Sequence, residues 1–373
     1  MPRRAALRAR SSAGCCAAEL LRALLAALAV TAAAASGASS RTLEQVAFSD
    51  TLHGYGLIVT QSASSCTEVV ERTSDGGAHF THRVSVAPCS QASSIAFDAS
   101  GDGFLYGPGL YATHDGGARW SRLPQPGAVL EVSIEGHSVW LAERVCRPAC
   151  TLALYTSVEG GLAPAQPPGL PAPPRAVEPA AGQDYIVRTG ASSAYVLSGP
   201  TKAGVALDRT SDGGRTWTRL EIPCFGFSAV LAADRGGALV ALCASEPGAG
   251  MQLKSSATSR DGGRTWTVHA PCANPNVCRS ALAEGYLGTL AATSPSTAFA
   301  LGDRSPLLIT HDAGASWRAL AEVGDLNGEP AQVLFVSPRA GIVLGRANTT
   351  TAAVTIWHTS DAGAKWTALQ PSI

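Results

Sequence analysis

Arginines at the ends of short apolar segments are the side chains most able to recognise a ligand. Arg144, Arg304 and Arg346 each follow such a segment, and a guanidinium grips a carboxylate through two parallel hydrogen bonds. Arg147 lies three residues after the first of them. We therefore take these four arginines as candidate binding residues for an anionic group. The alternative is separate solvated side chains, because the repeat described below places Arg144 several units away from Arg304 and Arg346.

Carboxylates at similar positions could serve a glycoside hydrolase, which needs one carboxyl group as acid and a second as base or nucleophile. The candidates are Glu143, Glu246, Asp303 and Asp325. The sequence pairs none of them with a second carboxylate. It also contains no serine nucleophile elbow, phosphate-binding loop or HExxH zinc motif, and its histidines do not cluster. We therefore predict no catalytic residue, no metal and no cofactor.

Eight cysteines beyond residue 38 predict a set of disulfide bonds. They are Cys66, Cys89, Cys146, Cys150, Cys224, Cys243, Cys272 and Cys278. An even number of cysteines in an exported chain is typical of disulfide pairing. The alternative, a zinc site, is disfavoured because no Cys-x-x-Cys pair occurs among them.

The first 38 residues have the order of a secretory signal peptide. Four arginines stand among the first ten residues, an apolar run follows at 20–35, and small residues lead to a predicted cleavage after Ala38. An uncleaved membrane anchor is the alternative, disfavoured because the run is short and Arg22 interrupts it. We expect residues 39–373 to be secreted or held in the cell envelope, without a membrane span.

Composition limits the partners and the fold class. Lys and Arg number 28, as do Asp and Glu, so the formal net charge is zero. A nucleic-acid partner held by bulk positive charge is therefore not expected. Glycine occurs 39 times and methionine only twice, which favours short strands joined by glycine turns over long helices.

One segment recurs along the chain and sets its organisation. Its fullest copy reads TSDGGRTW at 210–217, and we call each copy a box. The six clear copies contain Asp75, Asp115, Asp212, Asp261, Asp312 and Asp361. In five of them a tryptophan follows five residues later, at Trp120, Trp217, Trp266, Trp317 and Trp366, and Phe80 takes that place in the first. A degenerate seventh copy with Glu for Asp lies at 156–161.

The spacing of the boxes predicts a β-propeller. The last four box aspartates follow one another at intervals of 49, 51 and 49 residues. Two short apolar strands, A and B, precede each box, and the box itself closes a further hairpin of strands C and D. Each unit therefore supplies four antiparallel strands. A period of about 48 residues with four strands is typical of a propeller blade. We predict an all-β, seven-bladed propeller that forms one domain over residues 39–373, as a monomer.

The boxes resemble the Asp-box, or BNR, repeat of sialidase-like propellers, and their order of strand, TSDGG and Trp is similar to photosystem II assembly-factor-like and other WD40/YVTN/BNR-like propellers. The resemblance covers about residues 43–369 and implies that the boxes lie away from any active site. An Arg-Ile-Pro motif and a Tyr–Glu pair, which a sialidase would need, are not found.

The box residues themselves have a structural explanation. The Asp side chain can accept backbone N–H groups two or three residues on, the glycines supply positive φ, and the Trp packs between neighbouring sheets. The alternative, a metal or ligand at each Asp, is disfavoured because this turn already satisfies the polar groups.

Strand direction assigns the loops to two faces. In a four-stranded meander the A–B turns and the boxes lie at one edge, which we call the box face. The B–C loops and D–A connections lie at the other, and all eight cysteines fall there, so we call it the cysteine face. Adjacency predicts Cys66–Cys89, Cys146–Cys150 and Cys272–Cys278 and leaves Cys224–Cys243 by elimination, although eight cysteines allow 105 pairings.

The cysteine face is the predicted working surface. A Pro-rich loop at 163–179 ends there, and loops on a rigid scaffold commonly carry recognition. Two functions remain open. One is a non-catalytic exported propeller that binds a protein or a glycan, such as an assembly factor. The other is a divergent sialidase-like glycoside hydrolase.

Overall fold

The computed structural model describes residues 39–89, 94–148, 150–158, 161–164, 186–201, 204–224, 228–246, 248, 251–269, 282, 285–324, 326–347 and 353–373. The chain divides into two compact units, residues 1–40 with 61–65, and residues 41–60 with 66–373. In the first unit, the described residues include a tight turn in which the N–H of Ser62 donates to the carbonyl of Ser65 at 2.8 Å. The predicted signal peptide lies outside the described residues.

The second unit is a seven-bladed β-propeller, as predicted. Within the described residues, the strands form seven four-stranded antiparallel sheets, each with its strands in chain order. The strands, blade by blade, are β1 (Ser40–Phe48), β2 (Gly54–Gln61), β3 (Cys66–Thr73) and β4 (Thr81–Pro88); β5 (Ser94–Phe97), β6 (Gly103–Tyr106), β7 (Leu110–Thr113) and β8 (Ser121–Leu123); β9 (Ala128–Glu135), β10 (Ser138–Cys146), β11 (Cys150–Val158) and β12 (Gly161–Pro164); β13 (Ile186–Gly190), β14 (Ser193–Thr201), β15 (Gly204–Thr210) and β16 (Thr218–Leu220); β17 (Ser228–Ala233), β18 (Leu239–Ala244), β19 (Lys254–Ser259) and β20 (Thr267–His269); β21 (Thr289–Ala292), β22 (Ala298–Leu301), β23 (Leu308–Thr310) and β24 (Arg318–Ala319); and β25 (Leu326–Phe335), β26 (Gly341–Ala347), β27 (Val354–Thr359) and β28 (Thr367–Leu369). The part of the chain that the structure describes holds no helix long and apolar enough to cross a membrane.

Each pair of neighbouring blades shares one buried apolar cluster. Between blades 4 and 5, for example, Leu207 and Tyr195 pack against Leu231 and Leu239. The box aromatic of a blade enters the cluster shared with the preceding blade: Phe80, Trp120, Trp217, Trp266, Trp317 and Trp366 do so in turn. Because each sheet buries both faces in this way, no blade is expected to be stable alone.

The six clear boxes share one hydrogen-bonded turn. In the fourth blade, the Oγ1 of Thr210 donates to an Asp212 carboxylate oxygen at 2.9 Å and accepts the N–H of Gly214 at 3.0 Å. The carboxylate accepts the N–H of Thr216 at 2.9 Å. This donor stands four residues after the aspartate, whereas two or three were predicted. In the box of blade 5 the predicted donor is also present, because Asp261 accepts the N–H of Arg264, three residues on, at 3.0 Å. The residue after Asp212 is Gly213, at φ 73°, a value that favours glycine.

The seventh box is described only in part. In blade 3 the strands β11 and β12 pair as a hairpin across it, with Val158 opposite Gly161. Residues 159 and 160, with the Glu that replaces the box Asp, lie outside the described residues. Of the Pro-rich loop at 163–179, the structure describes only the two residues that end β12.

The ring closes without exchange of a strand between the first and last blades. The side-chain amide of Gln332 accepts the N–H of Val46 at 3.1 Å and donates to its carbonyl at 3.0 Å. Beyond β28, Ser372 accepts the N–H of Phe80 at 3.1 Å and donates to the carbonyl of Ala78 at 2.9 Å. The chain end thus binds the first box directly.

Candidate binding surface

Three disulfide bonds lie at the cysteine face. They are Cys66–Cys89, Cys146–Cys150 and Cys224–Cys243, three of the four predicted pairings. The last of these crosses from the connection after β16 in blade 4 to β18 in blade 5, so it ties neighbouring blades together. Cys272 and Cys278 lie outside the described residues. Three disulfides indicate folding in an oxidising, exported environment.

Blade 3 carries two of the candidate arginines and a buried carboxylate. Glu143 is 1% exposed and accepts the N–H of Gly127. Burial raises the pKa of Glu143, although the hydrogen bonds from Gly127 and Tyr155 and the charge of Arg147 act in the opposite direction. Arg147 is exposed in the loop that Cys146–Cys150 closes, and Arg144 is half-buried within β10.

The other two candidate arginines have carboxylate neighbours of their own. The Nε of Arg304 lies 3.9 Å from an Asp303 oxygen, and its Cζ lies 5.9 Å from the centre of the Tyr286 ring. Burial raises the pKa of Glu44, in β1 of blade 1, while the charge of Arg346, in β26 of blade 7, opposes the shift. The arginines therefore stand in blades 3, 6 and 7 beside different acids. Their convergence on a single anion stays a prediction.

The acidic candidates have different surroundings. Glu143 is buried, Glu246 is exposed, and Asp303 is half-buried beside Arg304. They stand in blades 3, 5 and 6 respectively, while Asp325 lies outside the described residues. Over the described part of the chain, no three His, Cys, Asp or Glu side chains come together as metal ligands.

Sequence reasoning missed a belt of polar side chains that joins the blades near the ring axis. A side chain of one blade accepts a backbone N–H of the next at four such joints: Gln45 to Ile95, Glu131 to Ile186, Gln252 to Leu287 and Thr289 to Val333. Gln332 and Val46 make the fifth. Four of these side chains stand in the first strands of their blades, whereas Gln252 stands in the B–C loop of blade 5. The signal was a polar residue at such positions, and its residue type differs from unit to unit.

Sequence reasoning also missed two clefts on the box face. The larger, of about 640 Å³, lies between blades 1 and 2 and includes Tyr55, Arg72 and Gly116 in its walls. The other, of about 350 Å³, lies between blades 4 and 5 and includes Tyr195 and Arg209. Both face away from the disulfides.

Comparison with solved structures supports the propeller fold. The chain is similar to YCF48 bound to a D1 peptide, with a TM-score of 0.53, 16% identity, and coverage of 83% of this chain and 95% of that one. It is similar to a GH74 xyloglucanase from Xanthomonas campestris, with a TM-score of 0.52, 16% identity, and coverage of 87% and 60%. A puromycin hydrolase mutant in complex with PGG gives a TM-score of 0.51 and 12% identity, with coverage of 90% and 55%.

At these identities the likeness concerns the fold. The chain spans only 60% of the xyloglucanase and 55% of the puromycin hydrolase. No family model and no curated protein matches the sequence.

Proposed function

We propose that this protein is an exported binding propeller of the BNR-repeat type, which recognises a protein or a glycan at its cysteine face and catalyses no reaction. The observation that carries the proposal is the set of three disulfides at that face. They fix loops and connections of blades 1, 3, 4 and 5 on a closed ring. A rigid scaffold with loops held in place loses little conformational entropy on binding.

The candidate contact residues are Arg144, Arg147, Arg304 and Arg346. Arg147 and Arg304 are exposed, and the other two are half-buried. Arginine is enriched where interfaces bind strongly. A protein partner is supported by the likeness to YCF48, which is bound to a peptide. The protein would act as a monomer, because Leu52 and Val268 are the only large apolar side chains exposed among the described residues.

A hydrolase is the second candidate, and Glu143 favours it. Burial raises the pKa of this carboxyl group, as a general acid requires. The likeness to a GH74 xyloglucanase points the same way. Against it, the Glu143 carboxylate already accepts the Gly127 N–H, and the other acidic candidates stand in other blades.

Affinity capture tests the binding function. Oxidised protein 39–373 is immobilised and exposed to envelope and secreted fractions of the producing cell. A variant with Arg144, Arg304 and Arg346 changed to Ala is compared with a control in which Arg119, Arg215 and Arg318, which lie in or beside boxes, are changed to Ala. A partner that the control retains and the first variant loses supports the proposal. A partner lost equally from both would place binding elsewhere.

Hydrolysis tests the second candidate. The purified chain is assayed on polysaccharides and aryl glycosides beside Glu143→Gln. Turnover that falls at least 100-fold in the variant, at unchanged thermal stability, would establish the hydrolase. Absence of turnover from the wild type, together with a captured partner, supports the binding propeller.

A further inference from the structure

The two clefts of the box face are built from equivalent residues. In blade 1, Tyr55 of β2 and Arg72 of β3 lie against Gly116 in the box of blade 2. The Cζ of Arg72 is 5.8 Å from the Tyr55 ring centre. A Cβ on Gly116 would stand 3.1 Å from the Tyr55 hydroxyl and 3.4 Å from the guanidinium carbon. Because Gly116 has no Cβ, the side chains of Tyr55 and Arg72 can lie against its backbone.

Blades 4 and 5 repeat this arrangement. Tyr195 of β14 and Arg209 of β15 lie against Gly262 in the box of blade 5, again with 5.8 Å between Cζ and the ring centre. A Cβ on Gly262 would stand 2.9 Å from the Tyr195 hydroxyl. The same arrangement of Tyr, Arg and Gly, which we call the frame, thus supports both clefts. The residues around the frame decide what each cleft can bind.

The charges around the frame differ between the clefts. The cleft between blades 1 and 2 has one arginine, Arg72, and three acidic residues in its walls, Asp50, Asp98 and Asp115. The cleft between blades 4 and 5 has four arginines, Arg209, Arg235, Arg260 and Arg264, and a single acid, Asp261. Arg235 comes from the A–B turn of blade 5, and Arg260 and Arg264 lie within the box of that blade.

The single acid of the second cleft is already used by its own turn. The Asp261 carboxylate accepts the Ser259 hydroxyl at 2.8 Å, and the N–H and hydroxyl of Thr265 at 2.9 and 2.6 Å. These bonds lower the pKa of Asp261, so it remains ionised. Among the described residues, no carboxylate makes an ion pair with any of the four arginines. The cleft therefore carries an excess of three positive charges.

Two of the arginines are held in place by backbone carbonyls. The Nη1 of Arg264 donates to the carbonyl of Asp261 in its own box at 3.0 Å, whereas the Nη2 of Arg235 donates to the carbonyl of Val336, in the A–B turn of blade 7, at 3.0 Å. These bonds leave other N–H groups of each guanidinium available. Gathering four guanidinium groups in the walls of one cleft with a single carboxylate costs free energy, which an anion in the cleft would recover.

We propose that the cleft between blades 4 and 5 binds a sulfate or phosphate group, as the free ion or as the ester of a small sugar. Guanidinium groups are weakly hydrated and bind such oxyanions through paired N–H donors. A volume of about 350 Å³ accommodates an oxyanion with part of a sugar ring. This site lies on the face opposite the disulfides and is independent of the function proposed above.

Binding is measured by calorimetry and by the shift in unfolding temperature with sodium sulfate, at ionic strength held constant with sodium chloride. We expect saturable stabilisation by sulfate. The double variant Arg260→Ala/Arg264→Ala is expected to weaken binding at least 10-fold. Arg215→Ala is the matched control, because the Nη1 of Arg215 makes the same contact with its own box, to the Asp212 carbonyl at 3.1 Å, yet lies outside the cleft. It is expected to change affinity less than 2-fold.

A second series separates the sources of the oxyanion. Inorganic sulfate, inorganic phosphate and a monosulfated monosaccharide are compared on the same three proteins. Tighter binding of the sugar ester, lost in the double variant, assigns the site to a sugar ester, and equal binding assigns it to the free ion. Sulfate stabilisation that chloride matches, or that Arg215→Ala reduces as much as the double variant, would overturn the proposal.

Discussion

The threonine or serine two residues before each box aspartate is as important to the turn as the aspartate itself. In the first box, the Oγ1 of Thr73 accepts the N–H of Gly77 at 2.8 Å and donates to Asp75 at 2.9 Å. Asp75 in turn accepts the N–H of His79 at 3.0 Å. Each polar group thereby serves two others, and an ionised carboxylate is the acceptor at the centre of the turn.

This chemistry predicts loss of stability in acid. Hydrogen bonds lower the pKa of Asp75, Asp212 and Asp312 from 3.8 to about 2. The folded state favours the ionised form of these carboxyl groups. Their contribution to the free energy of unfolding is therefore fully present above pH 4 and is lost as the pH falls towards 2. The free energy of unfolding, measured in urea from pH 6 to 2, should fall across that range. Asp212→Asn should make the fall shallower, whereas an equally steep fall in that variant would show that the box carboxylate is not its source.

Two boxes carry alanine where the others have glycine. Ala313 and Ala362 adopt φ of 57° and 62°, in the left-handed region that costs a residue with a Cβ about 1–2 kcal/mol. Ala313→Gly and Ala362→Gly should each stabilise the protein by about 0.5–1 kcal/mol, after the greater freedom of glycine in the unfolded chain is subtracted. Urea unfolding measures the change. Ala315→Gly, at a neighbouring position without positive φ, should be neutral or destabilising, and stabilisation there would remove the backbone explanation.

At the scale of strands, the inner belt holds neighbouring blades in register. Glu131 of β9 accepts the N–H of Ile186 at 2.8 Å, at the first residue of β13. Gln332 of β25 makes two bonds with Val46 of β1. Inner strands of different blades do not pair as a sheet, so their backbone groups need other partners, and these side chains supply them.

Removing the Gln332 amide should weaken ring closure. Gln332→Ala would leave the Val46 N–H and carbonyl without this partner, at a cost of about 1–3 kcal/mol. Urea unfolding gives the free energy, and hydrogen exchange of the Val46 amide should accelerate. Gln370→Ala is the control, because the Gln370 amide bonds to Thr355 within blade 7 at 2.7 Å. An equal loss of unfolding free energy in the control, with unchanged hydrogen exchange of the Val46 amide in Gln332→Ala, would contradict a special role for the belt.

The repeated box made the strands of each blade predictable, but the belt and the clefts were not. Box and strand are local in sequence, and their spacing gives the blade count directly. The cleft between blades 4 and 5 needs Arg209 and Arg260 in its walls, although 51 residues separate them. Which positions of neighbouring units meet depends on the packing angle between sheets, which the repeat does not specify. The belt could not be predicted for a second reason. Gln45, Glu131 and Thr289 share a role without sharing a residue type.

At the scale of the whole molecule, the buried clusters form a continuous ring. The cluster between blades 7 and 1 contains Ile58 and Val69 from one side and Leu344 and Ile356 from the other, and the cluster between blades 4 and 5 is of the same kind. In the part of the ring that the structure describes, every interface between neighbouring blades has a buried core. Opening any one interface exposes apolar surface on two blades, so the cost of local unfolding is shared around the ring.

This arrangement predicts one cooperative transition whichever interface is weakened. Leu207 and Leu344 are both fully buried, one between blades 4 and 5 and the other between blades 7 and 1. Leu207→Ala and Leu344→Ala should each cost about 2–5 kcal/mol. Tryptophan fluorescence and far-ultraviolet circular dichroism should still report coincident midpoints in urea. Val268→Ala, at a side chain 48% exposed, should change stability by less than about 0.5 kcal/mol. Separate midpoints in Leu344→Ala alone would show that the ring opens first between the first and last blades, because only there does no peptide linker hold the two blades together.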